Sequence, residues 1–155
     1  MKYEELLKEV GDRMGLAEVL RPNDDGVVTL SDGAFTLVIS ADPDRTRLEV
    51  AGEVGPLPEG GREGCLMLLM GANCRFAGTK GATLSVLPDD DLVLLNRRER
   101  LEGLDAETLQ TLLQDFIDSL AEWRGILADY GRLGPSIDEA RAADARIGGG
   151  AFLQI

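Results

Sequence analysis

Residues 66–95 read LMLLMGANCRFAGTKGATLSVLPDDDLVLL, and their reading decides the architecture. The stretch opens on an apolar run and passes Gly71, Gly78 and Gly81. It then breaks into two strand-like pieces, 83–87 and 92–96, around Pro88, Asp89, Asp90 and Asp91. Helix positions advance by about 100° each, so residues 66–70 set apolar side chains all the way round the axis. One sheet covers one side of such a helix. The other side requires a second layer, and for a chain of 155 residues the nearest source is a second copy of itself.

Working outward, Tyr3, Leu6, Leu7, Val10 and Met14 recur at helical spacing, and Gly15 ends that first helix. A connector with Pro22, Asn23 and Asp24 leads to strands over 27–30 and 34–40, joined by the Asp32-Gly33 turn that suits a hairpin. Residues 46–54 alternate, with Leu48, Val50 and Val54 opposite Arg47, Glu49 and Glu53. Gly55, Pro56, Leu57 and Pro58 are expected to stop the sheet before the second helix. After the second hairpin, Arg97, Arg98, Glu99 and Arg100 read as a polar exit. Asp105 is placed to cap the longest helix, with Leu104 and Leu109 as a hydrophobic staple. Leu112, Leu113, Phe116, Leu120, Trp123, Leu127 and Tyr130 continue its apolar stripe, with Arg124 facing outward. The order α-β-β-β-α-β-β-α predicts an α+β fold, a twisted antiparallel sheet with helices packed on it. We divide the chain into a domain over 1–130 and an extension over 131–155, partly helical or flexible, in which Pro135 and Ser136 could start a short helix through Arg146 before Gly148, Gly149 and Gly150 break it.

A net charge of −12 argues against nucleic acid and against anionic membrane surfaces, because both are bound through clustered Lys and Arg. No stretch approaches the ~20 apolar residues that span a bilayer. The acidic start, Glu4 and Glu5, lacks the apolar core of a signal peptide, so the cytoplasm is the expected location. Cys65 and Cys74 on one helix would lie about 13 Å apart along the axis, beyond disulfide reach, and read as buried thiols.

Catalytic chemistry finds little support. The chain has no histidine, which removes every nucleophile activated by an imidazole. Asp89, Asp90 and Asp91 could gather a hard cation, but they lack the alternating ligands of a calcium loop and read more simply as a solvated turn. Gly55, Gly60, Gly61 and Gly64 match no phosphate-binding pattern. The expectation is no catalytic residue, no metal and no cofactor.

Several pieces resemble the class I type III secretion chaperones of the Tir-chaperone (CesT-like) family. They are ELLKEVG at 5–11 followed by Gly15-Leu16, the Asp32-Gly33 hairpin, GPLP at 55–58, Leu68-Leu69 with Ala72-Asn73, TKGATLS at 79–85, and the segment from Leu112 to Trp123-Arg124. The resemblance covers about residues 1–130. It implies a cytoplasmic homodimer that holds the amino-terminal segment of a secreted effector in non-globular form, with the secretion ATPase as a candidate further partner. It also places the dimer interface at Leu66, Leu69, Met70, Cys74, Leu84 and Val86. For client binding it points to apolar patches on the sheet and first helix, here Val28, Leu30, Phe35, Leu37 and Leu48. These five face either a client or the chain's own helices, and strand alternation does not decide between the two.

The extension departs from the family pattern. Phe152, Leu153 and Ile155 could dock on the domain or on a second copy in imitation of a client, or form a frayed end. Two other readings stand beside the chaperone: a non-secretory adaptor of YbjN-like kind with the same fold, and a small magnesium- or calcium-dependent enzyme using Asp89, Asp90 and Asp91.

Overall fold

The computed structural model describes residues 2–133, and the expectations for the segment from Pro135 to Ile155 lie outside the described residues. The elements run α1 (Tyr3–Met14), β1 (Val28–Ser31), β2 (Thr36–Ala41), β3 (Arg47–Pro56), α2 (Arg62–Asn73), β4 (Thr83–Leu87), β5 (Leu92–Arg100) and α3 (Ala106–Leu133). All strand pairings are antiparallel, in the order β1-β2-β3-β5-β4. The α+β order read from the sequence is the order found.

One face of the sheet carries the core. Val28, Leu37, Ile39, Leu48, Val50, Val54, Leu84, Val93 and Leu95 are buried, together with Leu6, Leu7 and Val10 of α1 and Leu109, Phe116 and Leu120 of α3. Alternation along β3 thus sorts Leu48, Val50 and Val54 inward. Gly52 falls in the same inward row, and a Cβ there would stand 2.6 Å from Leu120 Cδ2 and 3.3 Å from Phe116 Cε1. The missing side chain is what lets α3 lie close against the middle of the sheet. The Tyr3 hydroxyl donates to Ile39 O at 3.1 Å, tying α1 to the same layer. Burial pushes that phenol up to about 12, against a smaller opposing effect from Arg45.

Three boundaries differ from the sequence reading. Ala34 and Phe35 belong to the turn, because both amides donate to Asp32 Oδ1, at 2.8 and 3.1 Å, and leave the ladder. Gly55 and Pro56 continue β3 past an irregularity at Glu53/Gly55 and pair with Val93 and Leu92. The basic run is strand: Arg97, Arg98, Glu99 and Arg100 pair with Val50, Glu49, Leu48 and Arg47. Charges extend β5 there because Arg98 meets Glu49 across strands at 3.0 Å and Arg97 meets Glu99 at 2.7 Å. The reading of two buried thiols holds for Cys65 alone: α2 ends at Asn73, so Cys74 falls in a short 3-10 turn and is exposed.

Asp105 caps α3 as expected, accepting Thr108 N–H at 2.8 Å. Trp123 is buried on the stripe and donates to Gly78 O at 2.8 Å. Ser119 donates to Thr79 O at 3.4 Å and Thr79 to Ala82 O at 2.5 Å, so α3 fixes the loop between α2 and β4. Arg124 turns back toward the sheet and donates to Glu53 O at 2.8 Å, contrary to the outward placement.

Candidate functional site

Helix α2 buries only part of its apolar circumference. Cys65 and Leu69, one turn apart, face the domain, and Leu68 and Ala72 are half-buried beside them. Met67 is 66% exposed, Met70 68%, and Leu66 is also exposed. The following turn adds Phe76, 54% exposed, where Arg75 and Phe76 both adopt left-handed backbone at φ 55° and 58°. Bulky residues take that conformation at a cost of about 1–3 kcal/mol each, and such outliers collect at binding surfaces. Strained backbone therefore presents a phenylalanine to the outside.

The expected interface set divides in two. Leu66, Met70 and Cys74 are exposed and Val86 half-buried, while Leu69 and Leu84 are buried in the chain's own core. Met67 and Phe76 were missed. The all-round apolar pattern already contained Met67; Phe76 owes its exposure to a turn geometry that residue preferences disfavour.

The two edges of the sheet are unlike. At β4, the Asn73 side chain acts as a substitute strand: Leu84 N–H donates to Asn73 Oδ1 at 2.7 Å, and Asn73 Nδ2 donates to Leu84 O at 2.9 Å. Helix α2 packs along that edge. At β1, among the described residues, no backbone hydrogen bond reaches residues 28–31 other than those to β2. This open edge is four residues long, with Leu30 half-buried on it and Phe35 half-buried in the turn that follows. Val28, Leu37 and Leu48, the other residues suggested for client binding, are buried in the domain core. A second apolar surface lies between α1 and the connector, a cleft of ≈ 430 Å³ lined mainly by Lys8, Asp12, Ala17, Leu20 and Pro22, with Leu16 and Val19 exposed.

The Asp-rich turn is a clamp. Arg62 Nη2 and Nη1 donate to Asp91 Oδ2 and Oδ1 at 2.8 and 3.1 Å, and Asp91 O accepts Leu57 N–H at 2.7 Å. The guanidinium holds the Asp91 carboxyl below the ordinary carboxylate value, and Asp91 raises Arg62 in return. Both Asp91 oxygens are thus committed to Arg62, and among the described residues no group of three His, Cys, Asp or Glu side chains is placed to hold a metal ion.

A five-stranded sheet backed by two helices here leaves one strand edge open and one apolar helix face uncovered, two kinds of surface on which polypeptide segments dock. The chain belongs to the Tir chaperone protein (CesT) family, whose model matches residues 5–124. No curated protein sequence matches the chain. Among solved structures it is similar to a chain of the ExsC–ExsE complex, at TM-score 0.65 and 22% identity, over 80% of this chain and 92% of that one. It is also similar to a chain of the HopA1–SchA chaperone–effector complex, at TM-score 0.63 and 20% identity over 79% and 93% of the two chains. A third likeness is to the Yersinia pestis type III secretion chaperone SycH complexed with a stable fragment of YscM2, at TM-score 0.63, 17% identity and 79% and 99% coverage. These likenesses establish a shared fold. No described helix is long and apolar enough to cross a membrane.

Proposed function

We propose that this protein is a type III secretion chaperone: a cytoplasmic homodimer that binds the amino-terminal segment of a secreted effector and keeps it non-globular until export. Family membership supports the chaperone class, and solved chaperone–effector complexes share the fold. The observation that carries the client reading is the asymmetry of the sheet edges, with β4 blocked at Leu84 by Asn73 and β1 unpaired on its outer side. An extended client strand added at β1 would satisfy its backbone there and set side chains against Leu30 and Phe35. Val28, Leu37 and Leu48 then act from beneath, holding the edge strand flat against the core. The second copy covers α2 through Leu66, Met67, Met70, Cys74 and Phe76, with Val86 beside them and Leu69 and Leu84 as their buried support. The role is binding, without catalysis or cofactor, and the secretion ATPase is the partner to which the loaded dimer would pass its client.

The test is affinity capture with the full chain, followed by limited proteolysis and mass mapping of what is retained. The expected result is an extended segment of some tens of residues near a client's amino terminus, lost with Leu30→Glu/Phe35→Glu. Capture of folded domains alone would contradict the role.

A further inference from the structure

The outer face of the sheet carries a charge arrangement that folding does not require. Arg47 of β3 and Arg100 of β5 are direct cross-strand partners, and both are exposed. Like charges directly opposite destabilise a sheet, whereas the next rung, Glu49 and Arg98, pairs opposite charges at 3.0 Å. Neither Arg47 nor Arg100 has a side-chain hydrogen bond or ion pair among the described residues. The carboxylates around them are largely engaged: Asp42 accepts Arg47 N–H at 2.9 Å and both the amide and hydroxyl of Thr46, at 2.7 and 2.8 Å. Glu4 is paired with Arg45 and Glu49 with Arg98.

The rung opens into a cleft of ≈ 450 Å³ lined by Arg45, Thr46, Arg47, Arg100, Leu101 and Glu102. With Arg45 engaged by Glu4, Arg47 and Arg100 are the two guanidinium groups left beside Glu102 there, in a chain whose net charge is −12. We propose that the Arg47–Arg100 rung is a docking site for the carboxylates of an acidic peptide segment on a partner protein. Charge complementarity selects the occupant. Two forked donors side by side match carboxylates spaced along an extended peptide. A long polyanion such as nucleic acid would be repelled by the remainder of the surface. The site stands apart from β1 and α2 and does not depend on the client reading.

The experiment is a titration of the full-length protein with acetylated hexaglutamate at low salt, followed by NMR of backbone amides and arginine Nε–H groups. Hexalysine and inorganic phosphate are titrated in parallel. The expected result is shifts centred on Arg45, Arg47, Arg100 and Glu102, weakened by salt, with affinity falling about tenfold in R47Q/R100Q and unchanged in R132Q. A thermal melt of R47Q/R100Q at or above that of the parent shows that the fold is intact. Shifts elsewhere, equal binding by R47Q/R100Q, or phosphate binding as tightly as the peptide would each overturn the proposal. Client capture unaffected by R47Q/R100Q keeps the two sites distinguishable.

Discussion

The Asn73 side chain closes on the Leu84 backbone from both sides, accepting from its N–H at 2.7 Å and donating to its C=O at 2.9 Å. A single amide thus gives Leu84, in edge strand β4, the pair of hydrogen bonds that a residue of a further strand would supply. The last residue of α2 is thereby fixed to the sheet, and strand addition across Leu84 is blocked.

Removing that amide leaves a half-buried Leu84 N–H and C=O unmet. Asn73→Ala is expected to cost about 1–3 kcal/mol, measured by urea unfolding. It should also raise aggregation, because β4 then presents free backbone groups. Unchanged stability would show that water replaces the amide.

Gly52 permits the approach of α3 to β3, with Leu120 and Phe116 where a side chain would sit. Gly52→Val is expected to destabilise by about 1–3 kcal/mol through overpacking. The measurement is the denaturant midpoint at constant slope.

Acid sensitivity follows from three turn and cap aspartates. Asp32 is held below the ordinary 3.8 chiefly by Ala34 N–H, Asp42 by Arg47 N–H and the Thr46 hydroxyl, and Asp105 by Thr108 N–H. The unfolded chain binds those protons more readily, so the contribution is complete above 3.8 and is lost as pH falls through the lowered folded values. Asp42→Asn should flatten the acid limb of a stability profile. Tyr3 works in the opposite sense: its contribution is present below 10.0 and is lost as pH rises toward about 12, a loss absent in Tyr3→Phe.

Arg100→Glu would replace a repulsive rung with an attractive one opposite Arg47. A gain of about 0.2–1 kcal/mol is expected, read from the melting temperature. The same change should abolish hexaglutamate binding, setting stability and docking in opposition at one position.

Much of this architecture is legible in the sequence, and the exceptions are physical. Alternation at Leu48, Val50 and Val54 places β3 correctly, and Asp105 marks the start of α3. Alternation does not reveal which face a helix covers. Val28, Leu37 and Leu48 therefore suit a client and the core equally well until α1 and α3 are in place. The run from Arg97 to Arg100 looks like a loop because its charges conceal a strand in which Arg98 is paired across to Glu49 and Arg97 along the strand to Glu99. Cys74 and Phe76 are exposed because α2 ends at Asn73 and Arg75 and Phe76 take left-handed backbone, a choice against their own preference.

The exposed apolar face of α2 is the centre of this account, and sedimentation equilibrium of the full chain at micromolar concentration tests it most directly. The expected mass is twice that of one chain, falling to a single chain in Leu66→Lys/Met70→Lys with far-ultraviolet dichroism unchanged. A parent protein that sediments as a stable monomer would contradict it.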